Sequence, residues 1–172
     1  VAALFRTPWG HKYESRQAIV VGQSAGGHLG AHLAYRTGSC CLSVSAFVSI
    51  SGVLSLLKGR YAYLERLIRN TASDPETRIK ADPREAVLAR GTEEQARPLP
   101  ALLIHGLEDR IVPSTVVNQF ISAHDNAFGS APTYLALPWA KHNELALLCL
   151  GRRPRGTALL LRWLEAIHLS TQ

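Results

Sequence analysis

The chain has 172 residues, 47% of them hydrophobic and 19% charged, and carries a net charge of +6 from 19 Lys+Arg against 13 Asp+Glu. That length suits one domain, and the composition excludes a disordered or fibrous chain. No apolar run approaches the roughly 18 residues that a membrane-spanning helix needs, and no signal-peptide pattern opens the sequence.

In chain order, strands and helices alternate, which is the α/β pattern. Ala18 to Val21 is a short continuous apolar run, as expected of a strand buried on both faces. A glycine-rich turn from Gly22 to Gly27 follows, and Gly27 to Arg36 reads as a helix stopped by Gly38. Val44 to Ser51 is the second strand. From Gly52 to Pro98 the composition turns polar, with one helix expected over Arg60 to Asn70 and with Pro75, Pro83 and Pro98 as breakers. Ala101 to His105 is the third strand. After Pro113, Ser114 is the expected N-cap of a helix that buries Val117, Phe120, Ile121 and Phe128 at three- and four-residue spacings. Thr133 to Leu137 is the fourth strand. Leu160, Trp163, Leu164 and Ile167 mark the apolar stripe of a closing helix that starts near Gly156-Thr157. Connections of one hand between parallel strands then give a mostly parallel, doubly wound open sheet with helices on both faces.

The remaining composition features point away from other chemistries. The densest basic run, Arg152-Arg153-Pro154-Arg155, reads as a solvated loop before the last helix, so no nucleic-acid partner is expected. Cys40, Cys41 and Cys149 are an odd set without ligand spacing, so neither a disulfide framework nor a metal site is expected and a reducing compartment is favoured. His28 and His32 stand four apart, as in a zinc helix, but Leu29-Gly30-Ala31 between them lacks the glutamate of that chemistry. Gly26, Gly27 and Gly30 instead suit a helix packed closely on the sheet. The chain holds no methionine and begins at Val1. We therefore expect it to be the C-terminal part of a longer protein.

Chemistry concentrates at the carboxyl ends of the strands. Gly22-Gln23-Ser24-Ala25-Gly26 matches G-x-S-x-G between a strand and a helix, the arrangement of a nucleophile elbow. So sharp a turn forces the serine into a strained backbone, and Gly22 and Gly26 are expected to avoid collision with it. Ser24 then stands at the positive end of the following helix, where the Ala25 N–H is an oxyanion donor. A nucleophilic serine needs a base and a group to orient that base. Asp109 lies just past the third strand and His142 in the loop after the fourth, the positions where sites of open α/β sheets collect. We read Ser24 as nucleophile, His142 as general base and then acid, and Asp109 as its orienting carboxylate. Glu108 is the alternative acid, but a neighbour one position along points differently. His105 reads as a buried loop anchor, while His11, His124 and His168 carry no partner pattern.

The strings Val21 to Leu29, Ser49 to Val53, His105 to Pro113 and Lys141 to Leu145 together resemble the α/β-hydrolase superfamily. Within it, the chain is most similar to the carboxylesterase branch that includes prenylcysteine methylesterases and kynurenine formamidases. The G-Q-S-A-G-[AG]-H form of the elbow favours the prenylcysteine methylesterases. The resemblance implies the C-terminal portion of an α/β-hydrolase domain spanning residues 1–172, with 52–98 as a substrate-side insertion. It implies a cofactor-free serine hydrolase of small-molecule carboxylic esters, with a formamidase-like amidase as the alternative. Members of the branch supply further oxyanion N–H groups from an H-G-G-type loop upstream of the elbow strand. This chain has no such loop, so a catalytically inactive remnant is the other expectation. Membrane association is expected only if a segment upstream of Val1 supplies it. The location implied is cytoplasmic, or endomembrane-associated if the chain is prenylcysteine methylesterase-like.

Overall fold

A computed structural model describes residues 17–36, 43–56, 66, 74–149 and 154–170. Four strands, β1 (Gln17–Gln23), β2 (Ser43–Ile50), β3 (Ala101–Gly106) and β4 (Thr133–Leu137), form one parallel sheet in the order β1-β2-β3-β4. Among the described residues these helices accompany them: α1 (Ala25–Tyr35), α2 (Pro75–Ala81), α3 (Pro83–Gly91), α4 (Ser114–Phe128), α5 (His142–Cys149) and α6 (Pro154–Ser170).

Strand side chains alternate between faces, and the two faces carry separate cores. Phe47, Ala101 and Leu103 pack with Ala31, Ala34 and Tyr35 of α1, with Ala86 and Val87 of α3, and with Val116, Val117 and Phe120 of α4. Val48, Ile50, Leu102 and Ile104 pack on the other side with Leu145 of α5 and with Leu160, Trp163 and Leu164 of α6. Helices therefore cover both faces, as the strand pattern implies. The winding differs from the expectation. Among the described strands the order never reverses, so crossovers of constant hand place α1, α3 and α4 on a single face. The second face is covered by the helices that follow β4.

That asymmetry explains the one strand whose burial departs from its sequence. Val20 packs into the first core, but Ile19 is 38% and Val21 47% exposed. These two residues alternate to the second face, where α5 and α6 reach β2 and β3 and not β1. β3, by contrast, is buried at every residue.

The polar stretch after β2 holds a second difference. Pro75 and Pro83 start helices, because proline is tolerated in a first turn whose N–H groups lack acceptors in any case. Asp74 caps α2 by accepting from the Thr77 amide at 2.8 Å, and Asp82 caps α3 by accepting from the Arg84 amide at 3.0 Å. The helix expected over Arg60 to Asn70 lies outside the described residues except at residue 66, as does Gly38. α4 begins at Ser114, but its N-cap is Pro113, which offers no side-chain acceptor. Ser114 is the first helical residue and not the cap.

Asp82 does more than cap. It is buried, it accepts a bond from the Leu56 amide at 3.0 Å, and it pairs with the Arg84 guanidinium at 2.9 Å. Its removal strands a buried amide and leaves a mostly buried cation with the longer Glu85 contact, at 3.6 Å. Asp82→Ala should destabilise the fold by about 3 kcal/mol, since breaking a buried pair leaves one partner uncompensated. The exposed cap variant Asp74→Ala should cost clearly less, because solvent replaces the lost cap bond. Urea unfolding of the two variants checks the ranking, and equal midpoints would contradict it.

Candidate active site

The site is built at the β1–α1 junction. β1 ends at Gln23 and α1 starts at Ala25, so Ser24 alone makes the turn, at φ 53° and ψ −120°. Non-glycine residues rarely hold positive φ, and such strain, about 1–3 kcal/mol, persists only where the surroundings over-determine it. Here they do. The Ser24 N–H donates to the Ile50 carbonyl at the end of β2, at 3.0 Å, and the Ser24 carbonyl accepts from the Gly27 and Val53 amides at 3.0 and 3.2 Å.

The glycines divide the labour differently from the expectation. A Cβ on Gly22 would collide with the Gly26 carbonyl group and the Gly27 nitrogen. A Cβ on Gly27 would lie 2.7 Å from the Gly52 Cα and 2.9 Å from Ser49 Oγ, and one on Gly30 would press on Phe47 and Val20. Gly26 is the correction: among the described residues a Cβ there meets nothing within 4 Å. Its backbone is the surface that Gly22 approaches, so the spatial demand falls on Gly22.

The three side chains singled out by order in the chain come together. His142 Nε2 is 2.9 Å from Ser24 Oγ, and His142 Nδ1 is 2.7 Å from Asp109 Oδ2. His142 is the first residue of α5, not a loop residue. The helix is anchored there by Glu144, whose carboxylate accepts from the Lys141 amide at 2.9 Å. Asp109 Oδ1 accepts from the Ile111 and Val112 amides at 2.9 and 2.8 Å, which leaves Oδ2 for the imidazole. Burial pushes the Asp109 carboxyl up, but the hydrogen bond and charge of His142, with the Val112 and Ile111 amides, hold it below the ordinary carboxylate range. Asp109 therefore carries its negative charge at neutral pH and fixes Nδ1–H as the donor, leaving Nε2 free to accept from the serine hydroxyl.

Glu108 makes no such contact; its backbone amide donates to the Ala140 carbonyl at 3.2 Å. That bond belongs to a backbone zipper between the loop carrying Asp109 and the segment leading to His142, with Leu107 N–H donating to the Leu137 carbonyl at 3.0 Å. The two segments touch so closely that any side chain at Gly106 would strike the Ala140 carbonyl. His105 is fully buried and donates from Nε2 to the Val112 carbonyl at 2.8 Å. The same nitrogen is 3.8 Å from Asp109 Oδ2, but burial lowers the His105 pKa, so it acts as a neutral anchor of the acid loop and not as a charged partner.

Ala25 opens α1, and its amide lies in the first turn, where N–H groups have no intrahelical acceptor. His28 and His32 bond separate backbone carbonyls, those of Val53 at 3.2 Å and Ala81 at 2.8 Å. Among the described residues no group of three or more His, Cys, Asp or Glu side chains is placed to hold a metal ion. His124 donates to the Ser130 carbonyl at 2.7 Å on the first-core side, while His11 and His168 lie where no side chain is described. A cavity of about 470 Å³ opens beside His142, bordered by Glu108, Arg110, Ile111 and Lys141.

No protein-family model and no curated protein sequence matches the chain. Solved structures do. The acetyl ester-xyloside bifunctional hydrolase of Caldicellulosiruptor lactoaceticus matches with a TM-score of 0.65 at 21% identity, over 86% of this chain and 56% of that protein. The acylaminoacyl peptidase of Pyrococcus horikoshii matches with a TM-score of 0.71 at 17% identity, over 95% of this chain and 26% of the peptidase. The esterase Est2 of Thermogutta terrifontis, with propionate bound, matches with a TM-score of 0.59 at 20% identity, over 87% of this chain and 55% of the esterase. The chain has the α/β-hydrolase fold. It spans little more than half the length of the first of these proteins and about a quarter of the peptidase.

Within this α/β-hydrolase fold, sequence reasoning missed the groups that act through their backbones. Ile50 and Val53 hold Ser24, Val112 and Ile111 hold Asp109, and Ala140 locks the two segments together. A peptide N–H or carbonyl leaves no signal in residue type. The glycine geometry yields a direct test. Gly22→Ala should distort the turn and lower any Ser24-dependent turnover by about 100-fold, the scale of a roughly 1 Å misplacement. Gly26→Ala should leave turnover within about twofold, because the added methyl meets nothing among the described residues. Steady-state kinetics of the two variants check this, and the reverse ranking would refute the assignment.

Proposed function

We propose that the protein is a serine hydrolase acting on small-molecule carboxylic esters, with Ser24, His142 and Asp109 as its catalytic triad. The observation that carries this reading is the continuous relay Ser24 Oγ–His142 Nε2 and His142 Nδ1–Asp109 Oδ2, at 2.9 and 2.7 Å. In this reading Ser24 Oγ attacks the ester carbonyl as His142 Nε2 takes its proton. The Ala25 amide, at the positive end of α1, donates to the developing oxyanion. The imidazolium, stabilised by the Asp109 carboxylate, returns its proton to the departing alcohol. Water then repeats the sequence on the acyl-enzyme, with His142 as base and Ser24 as leaving group.

An ester substrate is favoured by the acetyl ester hydrolase and the esterase among the similar structures. The elbow form Gly22-Gln23-Ser24-Ala25-Gly26-Gly27-His28 adds a finer proposal, a prenylcysteine methylesterase-like carboxylesterase. A formamidase-like amidase is the second reading, and the acylaminoacyl peptidase among the similar structures supports including amides in the assay. Residues 52–98 are proposed to supply the substrate side of one partial domain, 1–172. The start of that segment already touches the nucleophile, through the Val53 amide.

In the protein containing this segment, Ser24→Ala and His142→Ala should each lower hydrolysis of short acyl esters by a factor on the order of 10⁶. Asp109→Asn should cost about 10⁴, because the imidazole is then held in the wrong tautomer. Esters should turn over faster than the matching anilides. Retention of most activity by Ser24→Ala would overturn the assignment, and a preference for anilides would favour the amidase reading.

A further inference from the structure

The elbow helix carries a stripe of three side chains at four-residue spacing, and each one grips a backbone carbonyl of the segment that follows β2. His28 Nδ1 bonds the Val53 carbonyl at 3.2 Å, His32 Nε2 the Ala81 carbonyl at 2.8 Å, and Arg36 Nη2 the Lys80 carbonyl at 2.6 Å. His32 and Arg36 attach α1 to the end of α2. The first reaches a residue that itself holds the nucleophile, because the Val53 N–H donates to the Ser24 carbonyl at 3.2 Å.

These bonds close a ring. From Ser24 the first turn of α1 leads to His28, the imidazole leads to the Val53 carbonyl, and the Val53 amide returns to Ser24. We propose that His28 is a positioning residue for the nucleophile: by holding Val53 from its carbonyl side, it keeps the Val53 amide on the Ser24 carbonyl and so fixes the positive-φ backbone that aims Ser24 Oγ at His142. The inference rests on Ser24 being the nucleophile, as proposed above.

The chemistry at position 28 is specific. A carbonyl accepts, so Nδ1 must carry the proton. Burial and the neighbouring His32 ring, centred 4.9 Å away, lower the His28 pKa, so the ring is neutral at pH 7 and its single N–H is committed to Val53. Val53 needs this second hold because a neighbouring residue departs from regular extension. Ser51, two residues earlier, has φ 48°, and the Leu54 amide bonds back to the Gly52 carbonyl at 3.1 Å. Val53 lies past the end of β2 at Ile50, and among the described residues it has no strand partner.

Two amide side chains distinguish positioning from bulk. An asparagine Nδ2 occupies nearly the place of the imidazole Nδ1, whereas a glutamine Nε2 occupies the place of the imidazole Nε2. In the protein containing this segment, His28→Gln should lower kcat on p-nitrophenyl acetate by at least about tenfold with KM within about twofold, and His28→Asn should restore most of it. The Val53 amide should exchange hydrogen at least about tenfold faster in His28→Gln than in His28→Asn, while the β3 amides stay protected in both. His32→Ala, which removes a shorter bond from the same stripe, should lower Tm without the loss of kcat. Wild-type kcat in a folded His28→Gln, failure of His28→Asn to restore a lost kcat, or an equal kcat loss in His32→Ala would each overturn the proposal. If the unmodified protein shows no Ser24-dependent turnover, the hydrolase reading fails with it. The Val53 exchange comparison then still reports whether His28 holds that residue.

Discussion

Everything at the carboxyl end of this sheet depends on one residue held in a conformation it would not choose. Ser24 has to turn the chain from strand to helix alone, and it does so at positive φ with a side chain attached. The strain is carried by three independent sources: the Ile50 carbonyl from the neighbouring strand, the Val53 amide from the segment beyond it, and the first turn of α1. Parallel pairing of β1 with β2 brings the first two within reach, since Gln23 lies in register with Ile50. The sheet therefore acts as a jig for the serine, and local helix or strand propensity has little part in it.

The partners of that serine come from far along the chain, and rigid backbone contact makes the distance harmless. Asp109 and His142 follow different strands, yet Leu107 and Glu108 donate peptide N–H bonds to the Leu137 and Ala140 carbonyls, and Gly106 lies close against Ala140. The acid loop is also braced from inside the sheet by His105, whose bond to the Val112 carbonyl fixes the residue that donates to Asp109. Each side chain of the relay is thus oriented by groups whose own positions are fixed, which is how a buried polar network keeps its geometry.

Much of this was legible in the sequence, and the gaps have physical causes. The four strands and the helix after Ser114 announce themselves through apolar runs and three- and four-residue spacing, and the order Ser24, Asp109, His142 places three reactive groups at strand ends. In the stretch from Gly52 to Pro98 a proline signals a break equally well before a helix as after one, and here Pro75 and Pro83 open helices behind Asp74 and Asp82 caps. His142 reads as a loop residue because α5 is short and its apolar positions start only at Leu145, so its polar first turn looks like a continuation of the loop. The motif asks for glycine at both flanks, but the close approach is one-sided: Gly22 meets the backbone of Gly26, while a Cβ at Gly26 meets nothing among the described residues. The winding of the sheet was hidden for another reason. Alternation of strands and helices is the same whether the strand order reverses or runs straight.

A nucleophile in this relay has to be both reactive and singular, and Ser24 is the serine bonded to His142. The most direct measurement is treatment of the folded protein containing this segment with a fluorophosphonate, followed by peptide mass spectrometry. The phosphonyl adduct should appear on the peptide carrying Ser24 and on no other serine peptide, and it should vanish in His142→Ala. An adduct on a different serine, or labelling of Ser24 that persists undiminished without His142, would contradict the relay described here.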